Sequence, residues 1–224
     1  MTTRATPEYF VFDAFGTLFD VHSVARENAA ALGPNWQRLS EIWRNKQLEY
    51  TWVHAGLNEH IPFREITRQS LHYALRMTGL DEGIAPRLLE SYQRLAAFPE
   101  VQSVLRALKA RGAKLAILSN GDMDMLDDIV DNANLDGVFD AVISVGVAGT
   151  FKPVPKVYAL AAEVFEVKPE AITFLSSNRW DIAGAASFGF QTIWVNRAGN
   201  PDEYPHLPAG KVARDLATLI EARN

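Results

Sequence analysis

The segment Tyr9-Phe10-Val11-Phe12-Asp13-Ala14-Phe15-Gly16-Thr17-Leu18-Phe19-Asp20 decides the fold class. Four consecutive apolar residues suit a strand buried on both faces, as in a parallel sheet. A carboxylate at the strand exit, followed by a Gly-Thr turn, is a placement that packing alone does not require. Asp is also a common turn residue, but the strand-end position favours chemistry, and Asp13 reads as a candidate nucleophile. Two places on stands apolar Phe15 rather than a second acid, which points away from ordinary phosphoryl transfer.

Working outward, short apolar runs alternate with helical periodicity, the pattern of an α/β parallel sheet. The sequence predicts strands at about residues 8–12, 114–118, 140–145, 171–175 and 191–195. Helices are predicted near 100–111, 122–133, 154–166, 179–187 and 213–222, with Gly112 as the stop of the first. Between about residues 20 and 97 the alternation ceases. Ser40–His54, Pro62–Gly79 and Ile84–Ala97 read as helices without a convincing strand among them. A helical insertion after the first strand would sit over the strand ends as a cap. The expected division is a Rossmann-like core of residues 1–20 and 98–224 and a cap of residues 21–97. Gly199 to Pro208 reads as a loop on composition.

Bulk properties exclude several classes. The 224 residues suit one domain, or one domain with an insertion. A formal charge of −5, from 22 basic and 27 acidic residues, gives no reason to propose nucleic-acid binding. The absence of cysteine removes disulfides, thiolate metal sites and a cysteine nucleophile. Met1 to Pro7 lacks the apolar stretch of a signal peptide, and no apolar run is long enough to span a membrane. A cytoplasmic protein with no membrane partner is the expectation.

Four strands lead into suggestive polar groups: Asp13, then Ser119-Asn120-Gly121, then Lys152, then Ser176-Ser177-Asn178 with Asp181 in the next helix. Ligands of open α/β sheets bind beyond the carboxyl ends of the strands, so residues far apart in sequence can meet in one pocket. Each has a plainer reading. Ser119, Asn120 and Asp122 fit as caps of the following helix, and for Asp122 that reading is preferred. Lys152 fits a solvated loop lysine, and Asp181 can complement a helix dipole. Their clustering carries more weight than any one of them. The five histidines show no metal-ligand spacing. The five tryptophans read as packing residues, with Trp180 beside the expected pocket. Arg44, on a cap helix, reads from spacing alone as a surface arginine like Arg64, Arg68 or Arg94.

At these positions the chain resembles the haloacid dehalogenase superfamily, and within it the 2-haloacid dehalogenases that act on L-2-haloalkanoic acids with inversion. The resemblance rests on Asp13 to Ser23, Trp43-Arg44 through Trp52, Leu118 to Gly121, Lys152-Pro153 leading to Tyr158, and Ser176 to Asp181. Superfamily phosphatases place an acid where this chain has Phe15. They also hold Mg²⁺ through an acidic residue where it has Asn178, and Mg²⁺ favours carboxylates. Two positions depart from the dehalogenase pattern: Phe15 stands where Tyr is usual, and Val53-His54-Ala55-Gly56-Leu57 replaces a Leu-Arg-like segment.

The resemblance implies a cofactor-free, metal-free enzyme that takes a small haloacid and releases halide. Asp13 would displace the halide to form an ester, and water activated by Asp181 with Lys152 would hydrolyse it. Ser119 would hold the substrate carboxylate, and Arg44 with Asn120 would receive the halide. Thr17, Tyr158, Ser176 and Asn178 would support these groups, with Phe15 and Trp180 shaping the substrate pocket. A homodimer is implied as well. The rivals are an Mg²⁺-dependent small-molecule phosphatase of the same superfamily and a non-catalytic small-acid-binding protein.

Overall fold

The structure is a computed structural model and describes residues 8–221; the reading of Met1 to Pro7 therefore lies outside the described residues. Strands β1 (Tyr9–Phe12), β2 (Lys114–Ser119), β3 (Ala141–Ser144), β4 (Ile172–Ser176) and β5 (Gln191–Val195) occupy the five predicted places. A sixth, β6 (Lys211–Ala213), corrects the helix predicted over 213–222. Its residues pair with β5, and only Thr218–Glu221 is helical there, while Ala222 lies outside the described residues. Three residues are too few to show a strand period against the loop that precedes them.

Residues 21–97 carry α1 (Ser23–Glu27), α2 (Ala29–Leu32), α3 (Trp36–Leu57), α4 (Phe63–Thr78) and α5 (Ala85–Tyr92). The rest of the chain adds α6 (Val101–Ala110), α7 (Met123–Asn132), α8 (Pro155–Phe165), α9 (Arg179–Phe188) and α10 (Thr218–Glu221). The helix read over Ile84–Ala97 ends early because the chain must return to its point of departure. The Asp20 N–H donates to the Ala96 carbonyl at 2.8 Å and the Phe98 N–H to the Leu18 carbonyl at 3.0 Å. Entry and exit of the insertion are thereby tied together.

Local sequence explains the main cap helices. In α4, Phe63, Ile66, Thr67, Ser70, Leu71, Ala74 and Leu75 are buried, a stripe at helical spacing that faces α3. Gly79 ends it in the left-handed conformation, at φ 68°. At its start Pro62 offers no capping side chain. The Asp122 carboxylate accepts instead from the Phe63 N–H at 3.0 Å and the Arg64 N–H at 2.8 Å. Asp122 makes no side-chain cap to its own helix α7, so the preferred sequence reading is corrected: it caps a helix of the other region and joins the two.

The parallel sheet has the order β3-β2-β1-β4-β5-β6. From β1 the chain moves to β2 and β3 on one side, and from β4 it moves to β5 and β6 on the other. The order therefore reverses between β1 and β4, where loops diverge and leave a crevice at the carboxyl ends. Phe12, Leu115, Ile117, Phe174 and Leu175 are wholly buried behind it, so the crevice stands on a close-packed floor.

Candidate active site

Asp13 emerges from β1 at this crevice, and its N–H donates to the Leu175 carbonyl of β4 at 2.9 Å. Asp13 is 6% exposed as a residue, and its two carboxylate oxygens have different surroundings. Oδ2 accepts from Thr17 Oγ1 at 2.9 Å, Asn178 Nδ2 at 2.9 Å and Ser176 Oγ at 3.4 Å. Oδ1 faces the Lys152 ammonium at 3.1 Å. The donors are aimed by the backbone around them. The Ser177 N–H donates to Thr17 Oγ1 at 2.8 Å and the Asn178 N–H to Ser176 Oγ at 3.1 Å. Each hydroxyl oxygen thus has an incoming proton and keeps its own for Asp13.

Lys152 also reaches Asp181 Oδ2 at 2.9 Å, so one buried ammonium bridges two carboxylates. Burial alone would lower the Lys152 pKa; the charges of Asp13 and Asp181 outweigh it, and the value is raised. Burial raises Asp181 above the ordinary carboxylate range, while the Lys152 charge and the Tyr158 hydroxyl pull it back. Tyr158, itself raised well above its usual value by burial, donates to Asp181 Oδ1 at 2.8 Å. Named from the resemblance as a supporting residue, it is wholly buried and meets the site through Asp181.

The other expected residues fall as follows. The Ser119 hydroxyl accepts from the Gly121 N–H at 3.1 Å and shapes the turn after β2. The Asn120 side-chain Oδ1 accepts from the Lys152 backbone N–H at 3.0 Å, tying that turn to the lysine loop. The Phe15 ring is buried between Phe63 and Tyr92, with centroids at 5.4 and 5.7 Å. Arg44 is no free surface residue: its Nη2 donates to the Phe15 carbonyl at 2.9 Å and lies 3.5 Å from Asn178 Oδ1. Trp180 meets the cap residue Trp52 edge to face at 5.5 Å.

A cleft of about 750 Å³ opens between α3 and the strand ends, with Arg44, Leu48, Trp52, Asn178, Trp180 and Arg197 among its lining. Asp13 is not on its wall. Arg44 and Asn178 belong both to that wall and to the group of side chains around the carboxylate. Sequence reading missed Gln47, buried beside Arg44, and the bridging role of Asp122. Spacing held a clue to the first, since Gln47 lies one helical turn from Arg44; nothing local tells which helix Asp122 caps.

The chain matches the haloacid dehalogenase-like hydrolase family over residues 7–189 and belongs to it. It is 45% identical to haloacetate dehalogenase H-2 of Moraxella sp. (strain B) over 194 residues, 86% of this chain and 87% of that protein. It is also 45% identical to (S)-2-haloacid dehalogenase of Pseudomonas sp. (strain YL) over 213 residues, 94% of this chain and 91% of that one. Among solved structures, the L-2-haloacid dehalogenase from Xanthobacter autotrophicus with chloropropionic acid covalently bound superposes with a TM-score of 0.86. It is 36% identical, over 96% of this chain and 97% of its own.

Proposed function

We propose that this enzyme hydrolyses short-chain 2-haloalkanoic acids to 2-hydroxy acids with inversion at C2, through an ester on Asp13. The observation that carries the reading is the unequal treatment of the two Asp13 oxygens. Among the described residues Oδ1 meets only Lys152 as a hydrogen-bond donor, whereas Oδ2 accepts from three neutral groups. In this reading Oδ1 attacks C2 from the face opposite the halogen. The Oδ1–C2 bond forms, the carbon–halogen bond breaks, and its electron pair leaves with the halide. Lys152 keeps Asp13 ionised.

Water then attacks Cγ of Asp13 and gives its proton to Asp181, which Lys152 and Tyr158 orient. Charge develops on Oδ2, where Thr17, Asn178 and Ser176 supply fixed donors. Collapse expels the alkoxide of the hydroxy acid, which takes the proton from Asp181; the second water proton leaves the new Asp13 carboxyl for solvent and restores the carboxylate. C2 undergoes one displacement, hence inversion. Ser119 and nearby N–H groups hold the substrate carboxylate, Arg44 and Asn120 receive the halide, and Phe15 and Trp180 form the apolar wall.

The donor set suits an organic halide better than a metal-bound phosphate. Lys152 already ties Asp13 to Asp181, Asn178 stands where an acid would serve Mg²⁺, and Phe15 stands where an acid would protonate a leaving group. The reading includes a core of residues 1–20 and 98–224 under a cap of 21–97. It also includes action in the cytoplasm as a homodimer, for which exposed Trp52, Val53 and Leu57 of α3 offer apolar surface. Among the described residues no helix is long and apolar enough to cross a membrane.

The test is release of halide and glycolate from chloroacetate in EDTA, by wild type and Asp13→Asn. Chelator-insensitive turnover by the wild type, absent in the variant, is expected. Phosphate-ester hydrolysis that requires magnesium, without halide release, would overturn the proposal.

A further inference from the structure

The buried amide of Gln47 has no role in the chemistry above, yet its surroundings are complete. Gln47 is 1% exposed. Its Oε1 accepts from Arg44 Nη1 at 2.8 Å, and its Nε2 donates to Thr67 Oγ1 at 2.8 Å. The Tyr92 hydroxyl lies 3.1 Å from Nε2 and 3.3 Å from Oε1. Thr67 in turn donates to the Phe63 carbonyl at 2.9 Å.

Chemistry fixes the orientation from both ends. A guanidinium only donates, so the amide oxygen must face Arg44. The Thr67 proton is committed to Phe63, so the amide NH₂ must face Thr67. The chain of hydrogen bonds ends at the residue whose N–H the Asp122 carboxylate holds from the core. Asp122 follows Ser119-Asn120-Gly121 directly. One continuous path thus links Arg44 to the turn after β2.

We propose that Gln47 is a positioning residue for dehalogenation: it fixes the Arg44 guanidinium in the orientation that receives the departing halide. The proposal rests on the reading of Arg44 as the halide acceptor. Without Gln47, Nη2 still has the Phe15 carbonyl, but the guanidinium can turn about that contact. A cation that must reorganise as charge appears stabilises that charge less than one already in place.

The consequence depends on the leaving group. Chloride leaves less readily than bromide and leans more on the cation. The test measures kcat/KM for chloroacetate and bromoacetate, a constant that covers steps only through halide departure, in wild type, Gln47→Met, Gln47→Glu and Arg44→Lys. Gln47→Met should lower the chloroacetate constant by about tenfold more than the bromoacetate constant, the weight of one charge-assisted hydrogen bond. Arg44→Lys should widen the ratio in the same sense. Gln47→Glu keeps an oxygen toward Arg44 but adds a negative charge beside it, so its ratio should widen less than that of Gln47→Met.

A residue that merely supports the cap would lower both substrates alike in either Gln47 variant. An unchanged ratio in Gln47→Met beside a widened one in Arg44→Lys overturns the proposal and leaves the Arg44 reading standing. An unchanged ratio in Arg44→Lys overturns both. Should Gln47→Met not fold, Gln47→Leu takes its place: a widened ratio supports the assignment, and an unchanged one overturns it.

Discussion

The Tyr158 hydroxyl donates to Asp181 Oδ1 at 2.8 Å, on the carboxylate oxygen opposite the one that Lys152 holds. Burial raises the Asp181 pKa, and this hydrogen bond is one of the forces that restrain the rise. As the proposed base, Asp181 must be ionised to take a proton from water, so its pKa should set an acid limb of kcat. Tyr158→Phe removes the restraint and leaves the ring packing against Phe174 and Phe190 in place. The acid limb should move to higher pH. A kcat–pH profile that coincides with wild type would remove Asp181 from the role of base.

Lys152 carries a second prediction. Its pKa is raised in the folded state: burial opposes the charge, and Asp13 and Asp181 overcome that opposition. A raised lysine contributes stability fully present below its unfolded value and lost as pH rises through the folded one. Activity should therefore persist into the ordinary lysine range. Lys152→Met strands two buried carboxylates, at a cost of about 3–5 kcal/mol in stability. One of them must then hold a proton more tightly than in the unfolded chain, so the variant's deficit should shrink on acidification from neutral pH. Denaturant unfolding at two pH values measures this, and a deficit that grows in acid would contradict the bridging charge.

Much of this arrangement was legible in the sequence because strand exits are local features. Asp13, Ser119 and Ser176 each follow a short apolar run, and a parallel sheet brings such ends together whatever the lengths between them. The resemblance supplied Arg44, which spacing alone could not distinguish from Arg64 or Arg68. Gln47 and Asp122 escaped because their partners lie in other elements: Thr67 is 20 residues from Gln47, and Phe63 is 59 from Asp122. β6 escaped for a related reason, since its three residues are a strand only through pairing with β5.

Asp122 yields a prediction about stability. It caps α4 from outside, so Asp122→Ala leaves two helix N–H groups without their acceptor while α7 loses no side-chain cap. The expected loss is about 1–2 kcal/mol, in the range of other N-cap deletions. Asp122→Asn keeps an acceptor and should recover most of it. Amide hydrogen exchange should accelerate at Phe63 and Arg64 in the alanine variant and hardly at all in α7. Faster exchange confined to α7 would return Asp122 to the role of an ordinary cap.

Gly121 tests how tightly the turn after β2 holds the catalytic loop. A Cβ at this position would stand 2.6 Å from Phe15 Cε2 and 3.1 Å from Leu126 Cδ2. The Phe15 ring cannot simply swing aside, because Phe63 and Tyr92 pack against it. Gly121→Ala should push Phe15 and with it the Asp13–Thr17 turn, at about 1–3 kcal/mol of overpacking. Since Arg44 grips the Phe15 carbonyl, the strain should reach the halide side and lower kcat as well as stability. Phe15→Leu should relieve the Gly121→Ala clash, so the double variant should be more stable than the two losses added together. Strict additivity in the double-mutant cycle would mean that the ring and the turn do not press on each other.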